Sequence, residues 1–304
     1  METKWLEDFI SLADTGSFSR SAVQRNVTQP AFSRRIQSLE SWLGVDLIDR
    51  TSYPTRLTQA GQVFYDQALA TLLQINSSRA LLRGQGKVTD ETIELAVPHT
   101  LSLTFVPKWI KRLEKTLGPI RSRLLAGNVH DAVLALAESS CDLLICYHHP
   151  QLPVQLDAKR YEMKVLGYEQ VSAWAKAGRD GKALYQLPGR ASQRVPFLSY
   201  TSNAYLGRVV DVIRKAAKPA LHLDSVYETD MAEGLKMMAI EGQGVAWLPD
   251  SAVLREAKQK VLAQVDVRWQ ETMEIRVYRE IPSDAHRPKP IVSQVWDSLE
   301  KIDH

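Results

Sequence analysis

The sequence has little cysteine and no long apolar run. Cys141 and Cys146 are the two cysteines among 304 residues, too few for the disulfide framework of a small secreted domain. No apolar segment approaches the ~18–20 residues that a membrane-spanning helix needs, and acidic residues interrupt the N-terminal stretch where a secretory signal would lie. These absences argue against a membrane protein, a secreted mini-domain and a collagen-like chain. We expect a cytosolic protein with more than one domain, since single hydrophobic cores stop growing near ~250–300 residues.

Motifs of the common enzyme classes are also absent. The sequence contains no GxSxG, Walker A or HExxH pattern and no GxGxxG after a predicted strand. The histidine pair His148 and His149 could suggest a metal site, but no Cys or carboxylate stands beside them at helical ligand spacing. A loop histidine pair is the better interpretation. Cys146 lies in an apolar run and is expected in the core. We therefore expect no enzyme activity, no metal and no cofactor.

Acidic residues are missing from one N-terminal stretch. Between Thr15 and Leu39 there is none, whereas this stretch contains Arg20, Arg25, Arg34 and Arg35. Residues 1–60 as a whole are balanced in charge, so the basic residues form a local patch within a neutral domain. Such a patch favours contact with phosphate groups. The alternative is an ordinary solvated helical face.

The first 44 residues have the pattern of three short helices. Apolar residues recur at helical spacing from Trp5 and the first helix ends at Gly16; Ser17 or Ser19 caps the second. Thr28 is placed to cap the third, whose apolar stripe is formed by Phe32, Ile36, Leu39 and Leu43. A tight turn between the second and third helices is typical of a helix-turn-helix. The opposite, polar face of the third helix carries side chains that can contact base edges in a major groove.

Two further features follow this helical region. Residues 46–50 and 56–57 predict two short strands around a turn, a wing that presents Arg50 and Arg56. From Thr58 to about residue 86 a long helix is predicted, with apolar residues that include Val63, Leu72, Leu81 and Leu82. Nearly thirty residues is long for a globular helix and favours packing against another chain. A helical hairpin that serves a protein partner is the alternative to DNA binding.

The remaining two-thirds alternates between strand-like and helix-like segments. The predicted strands are 92–97, 123–125, 142–147, 195–200, 220–227, 244–248 and 273–279. The predicted helices are 102–117, 127–138, 203–217, 229–241 and 290–302. Such alternation predicts parallel α/β sheets.

Four N-terminal motifs resemble the DNA-binding region of LysR-type transcriptional regulators: FSRSAV at 18–23, TQPAFSRRIQSLE at 28–40, LGVDLIDR at 43–50 and LTQAG at 57–61. SCDLLI at 140–145 and GQGVAWLP at 242–249 resemble the effector-binding region of the same family. The resemblance implies mixed α and α/β architecture: a winged helix-turn-helix at 1–60, a linker and dimerisation helix at 58–87, and a two-lobed effector domain like periplasmic binding proteins at 91–304. Lobe I would comprise about 91–165 and 270–304, and lobe II about 166–269.

The resemblance also implies the partners of a one-component regulator. These are double-stranded DNA with an interrupted palindrome near a promoter, a small-molecule effector, RNA polymerase, and further copies of the chain in a dimer and then a tetramer. The candidate DNA-binding residues are Ser19, Arg20, Gln29, Pro30, Ser33, Arg34, Gln37, Arg50 and Arg56.

Candidate effector-binding residues follow from the position of strand ends. Ligands of open α/β sheets bind beyond the carboxyl ends of strands, and helix N-termini there attract small anions. The candidates are His99, Thr100, Ser102, Asn128, Ser202 and Asn203, with Tyr147 and His148 as outside candidates. The alternative is that these side chains are simply helix caps.

Two other functions stay open from the sequence. The segments ETKWL at 2–6, SL at 102–103, NAYLGR at 203–208 and VAWLP at 245–249 give a weaker resemblance to the hypochlorite-responsive branch of the family, which senses by methionine oxidation. A methionine of that branch is replaced here by Leu206, while Met231, Met237 and Met238 remain. The second alternative is a solute-binding protein or enzyme with an accessory helix-turn-helix. An architectural DNA binder without an effector would leave the C-terminal two-thirds unexplained.

Overall fold

The computed structural model describes residues 2–51, 55–83, 91–202, 204–283 and 286–299. The chain divides into two compact units, Met1–Gly84 and Gln85–His304. Each unit has its own buried hydrophobic cluster. Among the described residues, no helix combines the length and the apolar character needed to cross a bilayer.

The N-terminal unit is a three-helix bundle with a small two-stranded sheet and a long helix. Its elements are α1 (Thr3–Thr15), α2 (Phe18–Gln24), α3 (Gln29–Leu43), β1 (Ile48–Asp49), β2 (Arg56–Leu57) and α4 (Gln59–Arg83). Gly16 and Gly44 end α1 and α3 in the left-handed conformation, with φ of 60° and 74°, where glycine carries no steric penalty. Ser17 caps α2 by accepting a hydrogen bond from the Arg20 backbone N–H at 3.4 Å. Thr28 occupies the cap position of α3, but its side chain makes no capping hydrogen bond.

The predicted apolar stripe of α3 forms the core of this unit. Phe32, Ile36 and Leu39 are completely buried, and they pack in one cluster with residues of α1 and α4. Burial of each such side chain contributes roughly 1.5–3 kcal/mol. Within α4, Leu72 is buried but Val63 is 66% exposed; the side chains of Leu81 and Leu82 lie outside the described residues.

Glu40 connects α3 to the two-stranded wing. Its buried carboxylate accepts hydrogen bonds from the backbone N–H groups of Leu47 at 2.9 Å and Ile48 at 3.1 Å, and from Arg50 Nη2 at 2.6 Å. The wing is the predicted antiparallel pair, with Ile48 opposite Leu57 and Asp49 opposite Arg56. The attachment of the wing to α3 therefore depends on Glu40. The helical pattern of the sequence identifies Glu40 only as a polar residue and does not predict this role.

The C-terminal unit is built on one nine-stranded sheet. Its strands are β3 (Thr92–Pro98), β4 (Arg121–Gly127), β5 (Leu143–His148), β6 (Tyr161–Lys176), β7 (Val195–Tyr200), β8 (Leu223–Thr229), β9 (Val245–Pro249), β10 (Leu262–Gln264) and β11 (Glu271–Glu280). Its helices are α5 (His99–Thr104), α6 (Val106–Leu117), α7 (Val129–Ala137), α8 (Tyr205–Ala216), α9 (Ala232–Ile240), α10 (Asp250–Lys258) and α11 (Pro290–Leu299).

Two parallel three-stranded groups lie at opposite ends of this sheet. We call the group β4-β3-β5 lobe I and the group β9-β7-β8 lobe II. The long strand β11 pairs antiparallel along its whole length with residues 161–171 of β6, and these two strands join the two groups. The prediction of parallel strands is thus correct within each lobe. It is incomplete for the nine-stranded sheet as a whole, since the sequence did not predict β6, β10 or α10. The helix predicted over 102–117 is two helices, α5 and α6.

Candidate functional site

The polar face of α3 is open to solvent. Gln29, Pro30, Arg34 and Gln37 are exposed and Ser33 is half-buried. Because Phe32, Ile36 and Leu39 hold the other face in the core, this surface is fixed in orientation by packing. It offers guanidinium, amide and hydroxyl groups, the side-chain types that form hydrogen bonds with base edges.

Only part of the predicted basic patch faces solvent. Asp8 is completely buried and accepts from Arg25 Nε at 2.8 Å and from Arg35 Nη1 at 3.1 Å; Arg25 also pairs with Glu7. A buried carboxylate needs such partners because an uncompensated charge is costly to bury. The charges of Arg25 and Arg35 are thus paired within the unit, where they hold α1 against α2 and α3.

The other candidate DNA-binding residues of this unit differ in whether their side chains form internal hydrogen bonds or ion pairs. Arg20 Nη2 donates to the Thr15 carbonyl at 2.6 Å, and Ser19 Oγ donates to Gln29 Oε1 at 3.2 Å. Arg50 is bound to Glu40 and lies 5.8 Å from the Phe18 ring centroid. Within the described part of the chain, Arg34 and Arg56 form no ion pair, and both are exposed. Of the candidate residues, these two are the basic side chains best available to an external partner.

A second candidate site lies between the lobes, at the carboxyl ends of their strands. Tyr147 near the end of β5, Tyr200 at the end of β7 and Thr201 directly after it each bury a hydroxyl group that has no hydrogen-bond partner among the described residues. Tyr147 of lobe I stacks on Tyr205 of α8 in lobe II, with ring centroids 6.5 Å apart. Thr100, at the start of α5, is also buried. We call this region the interlobe cleft.

One cation of lobe II, Arg208, lies at the interlobe cleft. The guanidinium of Arg208 lies 5.6 Å from the Tyr205 ring centroid. Burial and the charge of Arg208 together lower the pKa of His130, in the first turn of α7, to about 4. Burial, followed by the charges of Glu169 and Tyr200, raises the pKa of Tyr147 well above its ordinary value. At neutral pH the cleft therefore contains a cation, a neutral imidazole and neutral phenols that can donate hydrogen bonds, with the acids Glu169 and Glu233 nearby.

Some of the predicted effector residues use their side chains in local hydrogen bonds. Asn128 caps α7 by accepting from the Asp131 N–H at 2.8 Å. Ser102 Oγ donates to the His99 carbonyl at 2.6 Å, and His99 and Ser202 are exposed. Asn203 lies outside the described residues. For Asn128 and Ser102 the structure shows the local role that was the alternative in the sequence.

No metal site is found among the described residues. His149, of the predicted histidine pair, is 3% exposed; its Nε2 lies 3.3 Å from Glu271 Oε1 and its Nδ1 accepts from the Gln151 N–H at 3.2 Å. Cys141 and Cys146 are free and buried. These groups have structural roles in the sheet.

Comparisons with known proteins match both units of the chain. Residues 3–62 match the bacterial regulatory helix-turn-helix protein model of the lysR family, and residues 86–301 match the LysR substrate binding domain. The chain belongs to the LysR family. It is accordingly a DNA-binding transcriptional regulator with an effector-binding domain, and the alternatives of a solute-binding protein or an architectural binder are set aside.

Individual LysR-family proteins are similar along the full chain. The HTH-type transcriptional regulator YjiE of Escherichia coli (strain K12) is 32% identical over 305 residues, which cover 100% of this chain and 95% of YjiE. Vibrio fischeri DarR, solved in complex with DNA, is 30% identical with a TM-score of 0.58 over 100% of this chain and 99% of that one. Full-length HypT from Salmonella typhimurium is also 30% identical, with a TM-score of 0.58 over 99% and 98%.

Several residues of this LysR-family regulator were missed by sequence reasoning. Tyr200, Thr201, Tyr205 and Arg208 enter the interlobe cleft from lobe II, whereas the sequence directed attention to Ser202 and Asn203. The helix start is the physical reason: α8 begins at Tyr205 with Ala204 as its cap residue, two residues later than predicted. The end of β7 instead buries the hydroxyl groups of Tyr200 and Thr201. Because Tyr200 is the last residue of β7, the rule that ligands bind at strand ends could have identified it.

Proposed function

We propose that this LysR-family regulator reads DNA with the exposed face of α3 and is controlled by a small anion bound in the interlobe cleft. The observation that supports the second part is the set of buried hydroxyl groups on Tyr147, Tyr200 and Thr201. An unpartnered buried polar group costs roughly 1–3 kcal/mol. Three of them at the strand ends of two lobes indicate a polar ligand that accepts hydrogen bonds.

On the DNA side, Arg34 is proposed as the principal base contact. Gln29, Ser33 and Gln37 would complete the reading surface, with Pro30 against the groove wall. Arg34→Ala should then cost about 1–3 kcal/mol on a specific site and relax selectivity. Arg56 is the proposed phosphate contact. Its replacement by Ala should weaken binding to all sequences alike and reduce the salt slope by about one ion.

The remaining N-terminal candidates are proposed in secondary roles. Ser19 and Arg20, at the start of α2, are exposed and can contact the DNA backbone. Arg50 is proposed to contact phosphate while it stays bound to Glu40, because its side chain is 41% exposed in that ion pair. Arg50→Ala would therefore disturb the wing as well as any phosphate contact, which makes Arg56 the cleaner test.

For assembly, we propose a homodimer through α4 and a tetramer formed from two such dimers. A two-fold dimer would present paired α3 helices to an interrupted palindrome. The proposal places the protein in the cytoplasm, where it acts at promoters with RNA polymerase as a further partner and catalyses no reaction. Sedimentation of the full chain tests the assembly, and a stable monomer at micromolar concentration would contradict it.

The interlobe cleft provides a physical route from ligand to DNA. An anion between Thr100 and Tyr147 on one side and Thr201 and Arg208 on the other contacts both lobes at once. Such a ligand favours one arrangement of the lobes because it can reach the hydroxyl groups of Tyr147 and Thr201 together only when the lobes are close. Transcription changes only if that arrangement also favours one spacing of the DNA-reading helices.

Thermal stability in the presence of small anions tests the effector site. The panel is formate, acetate, malonate, succinate and sulfate, at constant ionic strength with the full-length protein. An anion that raises the melting temperature of wild type should have much less effect on Tyr200→Phe combined with Thr201→Val. Loss of two hydrogen bonds at about 0.5–1.5 kcal/mol each predicts roughly 5- to 150-fold weaker binding. Tyr227→Phe, which removes the hydroxyl of an exposed tyrosine in β8, is the matched control. An equal response in all three proteins would place the anion elsewhere.

Oxidant sensing is a second candidate for the effector function. Met231 and Met237 are 45% and 55% exposed, which leaves both thioethers accessible to an oxidant. HypT, similar along the full chain, is described as hypochlorite-specific. If hypochlorite changes DNA binding and Met231→Leu abolishes that change while no anion stabilises wild type, oxidant sensing is correct and the anion proposal is wrong.

A further inference from the structure

Basic residues are concentrated in one segment of the C-terminal unit. Residues 176–222 contain nine Lys or Arg and only two acids, Asp180 and Asp211. The whole chain has 38 basic and 35 acidic residues, so the rest of the chain carries a net negative charge. A local excess of this size in a nearly neutral chain creates its own field, which attracts a partner of opposite charge. Of the nine basic residues, only Arg208 belongs to the interlobe cleft.

The topology of lobe II brings most of these basic residues to one edge of the sheet. Strands β7, β8 and β9 run parallel, and Val195 and Leu223, at the starts of β7 and β8, lie opposite each other. Strand β6 runs antiparallel to β9. The end of β6 and the starts of the parallel strands therefore share one edge, and the strand ends at the interlobe cleft lie at the other. We call the shared edge the basic edge; its cations are Arg179 and Lys182 after β6, Arg190 and Arg194 before β7, and Lys215 and Lys218 before β8.

Hydrogen bonds hold the loops of the basic edge against one another. The hydroxyl group of Tyr185 donates to the Gly242 carbonyl at 2.7 Å, which ties the loop between β6 and β7 to the turn before β9. The His222 N–H donates to the Pro188 carbonyl at 2.8 Å, and the Val195 N–H donates to the His222 carbonyl at 2.9 Å. The six cations therefore extend from loops with a fixed backbone. With neighbouring strands ~4.8 Å apart, the edge from β6 to β8 is roughly 15 Å long.

The cations of the basic edge are available to an external partner. All six are exposed, and within the described residues none of them forms an ion pair. Three acids, Asp180, Asp224 and Glu241, lie at the same edge; the Asp180 carboxylate accepts from the Lys182 N–H at 3.1 Å and so serves its own turn. Lys260, directly before β10 on the other side of β6, adds a further exposed cation. The edge therefore keeps a net positive charge.

We propose that the basic edge of lobe II is a second DNA contact, which binds the phosphate backbone of duplex DNA without regard to sequence. B-DNA presents one phosphate charge per ~1.7 Å of helix axis, so an edge of roughly 15 Å meets several phosphates at once. Ser192 and Gln193 are exposed between Arg190 and Arg194 and can donate hydrogen bonds to phosphate oxygens. A protein partner fits less well, because protein interfaces are built around an apolar and aromatic centre. Among the described residues of these loops, Leu184 is the one large apolar side chain that is more than half exposed.

Fluorescence anisotropy of the full-length protein with a mixed-sequence duplex of about 60 bp, between about 50 and 200 mM salt, tests the basic edge. The lobe II variant combines Arg190→Gln, Arg194→Gln, Lys215→Gln and Lys218→Gln. It should reduce the salt slope by about 2–4 ions and weaken binding at the lowest salt by about tenfold or more. The matched control removes the same charge from four exposed cations of α6 that form no ion pair in the described part of the chain: Lys108→Gln, Lys111→Gln, Arg112→Gln and Lys115→Gln. Its salt slope should stay within about one ion of wild type.

Several outcomes would overturn this second contact. An unchanged salt slope in the lobe II variant would do so, and so would equal losses in the two quadruple variants, which would show a general effect of net charge. The arginine pair and the lysine pair, each changed alone, should give about half the effect at the melting temperature of wild type; loss of binding only together with a lowered melting temperature would also count against the contact. If the lobe II variant binds DNA normally but supports less transcription with RNA polymerase, the edge serves a protein partner and the DNA contact is wrong. Arg56→Ala is measured separately in wild type and in the lobe II variant, so a failure of the proposed wing contact leaves this result unaffected.

Discussion

Glu40 should be a sensitive polar residue of the DNA-binding unit. Replacement by Ala removes the acceptor for two backbone N–H groups, those of Leu47 and Ile48, whose residues are 0% and 4% exposed. It also leaves Arg50 without its partner. Each unsatisfied buried group costs about 1–3 kcal/mol, and local relaxation recovers part of the sum. We expect Glu40→Ala to lower the unfolding free energy of this unit by about 2–4 kcal/mol.

Hydrogen exchange of the full chain in urea measures this effect locally. Peptides that cover residues 40–50 should lose protection at lower urea in Glu40→Ala than in wild type. Glu40→Gln retains one carbonyl oxygen for the two N–H groups and should lose about 1 kcal/mol. Glu2→Ala, at an exposed acid outside the core, serves as the control. If Glu40→Ala differs from wild type by less than about 0.5 kcal/mol, the anchoring of the wing by this carboxylate is refuted.

Three further predictions concern packing, pH dependence and reactivity. Gly61→Ala should destabilise the N-terminal unit by about 1–3 kcal/mol in thermal melts, because its Cβ would lie 2.1 Å from the Leu47 carbonyl oxygen. Helix propensity alone predicts the opposite, a stabilised variant, and that result would contradict the steric argument. Since the folded state holds the pKa of His130 at about 4 against 6.5, the unfolded chain takes up the proton first as pH falls. Stability should decrease between pH 6.5 and 4 by up to roughly 3 kcal/mol, and His130→Asn should remove that slope in urea titrations. Burial raises the pKa of Cys146 to about 12, so iodoacetamide at pH 8 should label it in the denatured protein and not in the native one.

The DNA-binding unit was predictable from sequence because its signals are local. The stripe of Phe32, Ile36 and Leu39 repeats at helical spacing, and Gly16 and Gly44 mark helix ends. What the sequence did not show is which arginines are used internally. Asp8 engages Arg25 and Arg35, and pairs so distant in the chain depend on how three helices pack.

The C-terminal unit was predictable as two lobes but not as one sheet. Strand β6, Tyr161–Lys176, mixes charged and apolar residues and contains Gly167, so no alternating pattern marks it. The rule for strand ends directed attention to Thr100 and Tyr147 of the proposed interlobe cleft. Arg208 and Tyr205 could not be found in that way, because their position depends on how α8 packs on lobe I.

Selection of DNA from a random pool tests the central claim, that the exposed face of α3 reads bases. Wild-type full-length protein should enrich an interrupted palindrome. Arg34→Ala should enrich the same spacing with one base position relaxed in each half-site, while Arg56→Ala should enrich the unchanged motif with weaker binding. An identical motif and enrichment for wild type and Arg34→Ala, or no motif for wild type, would contradict the account.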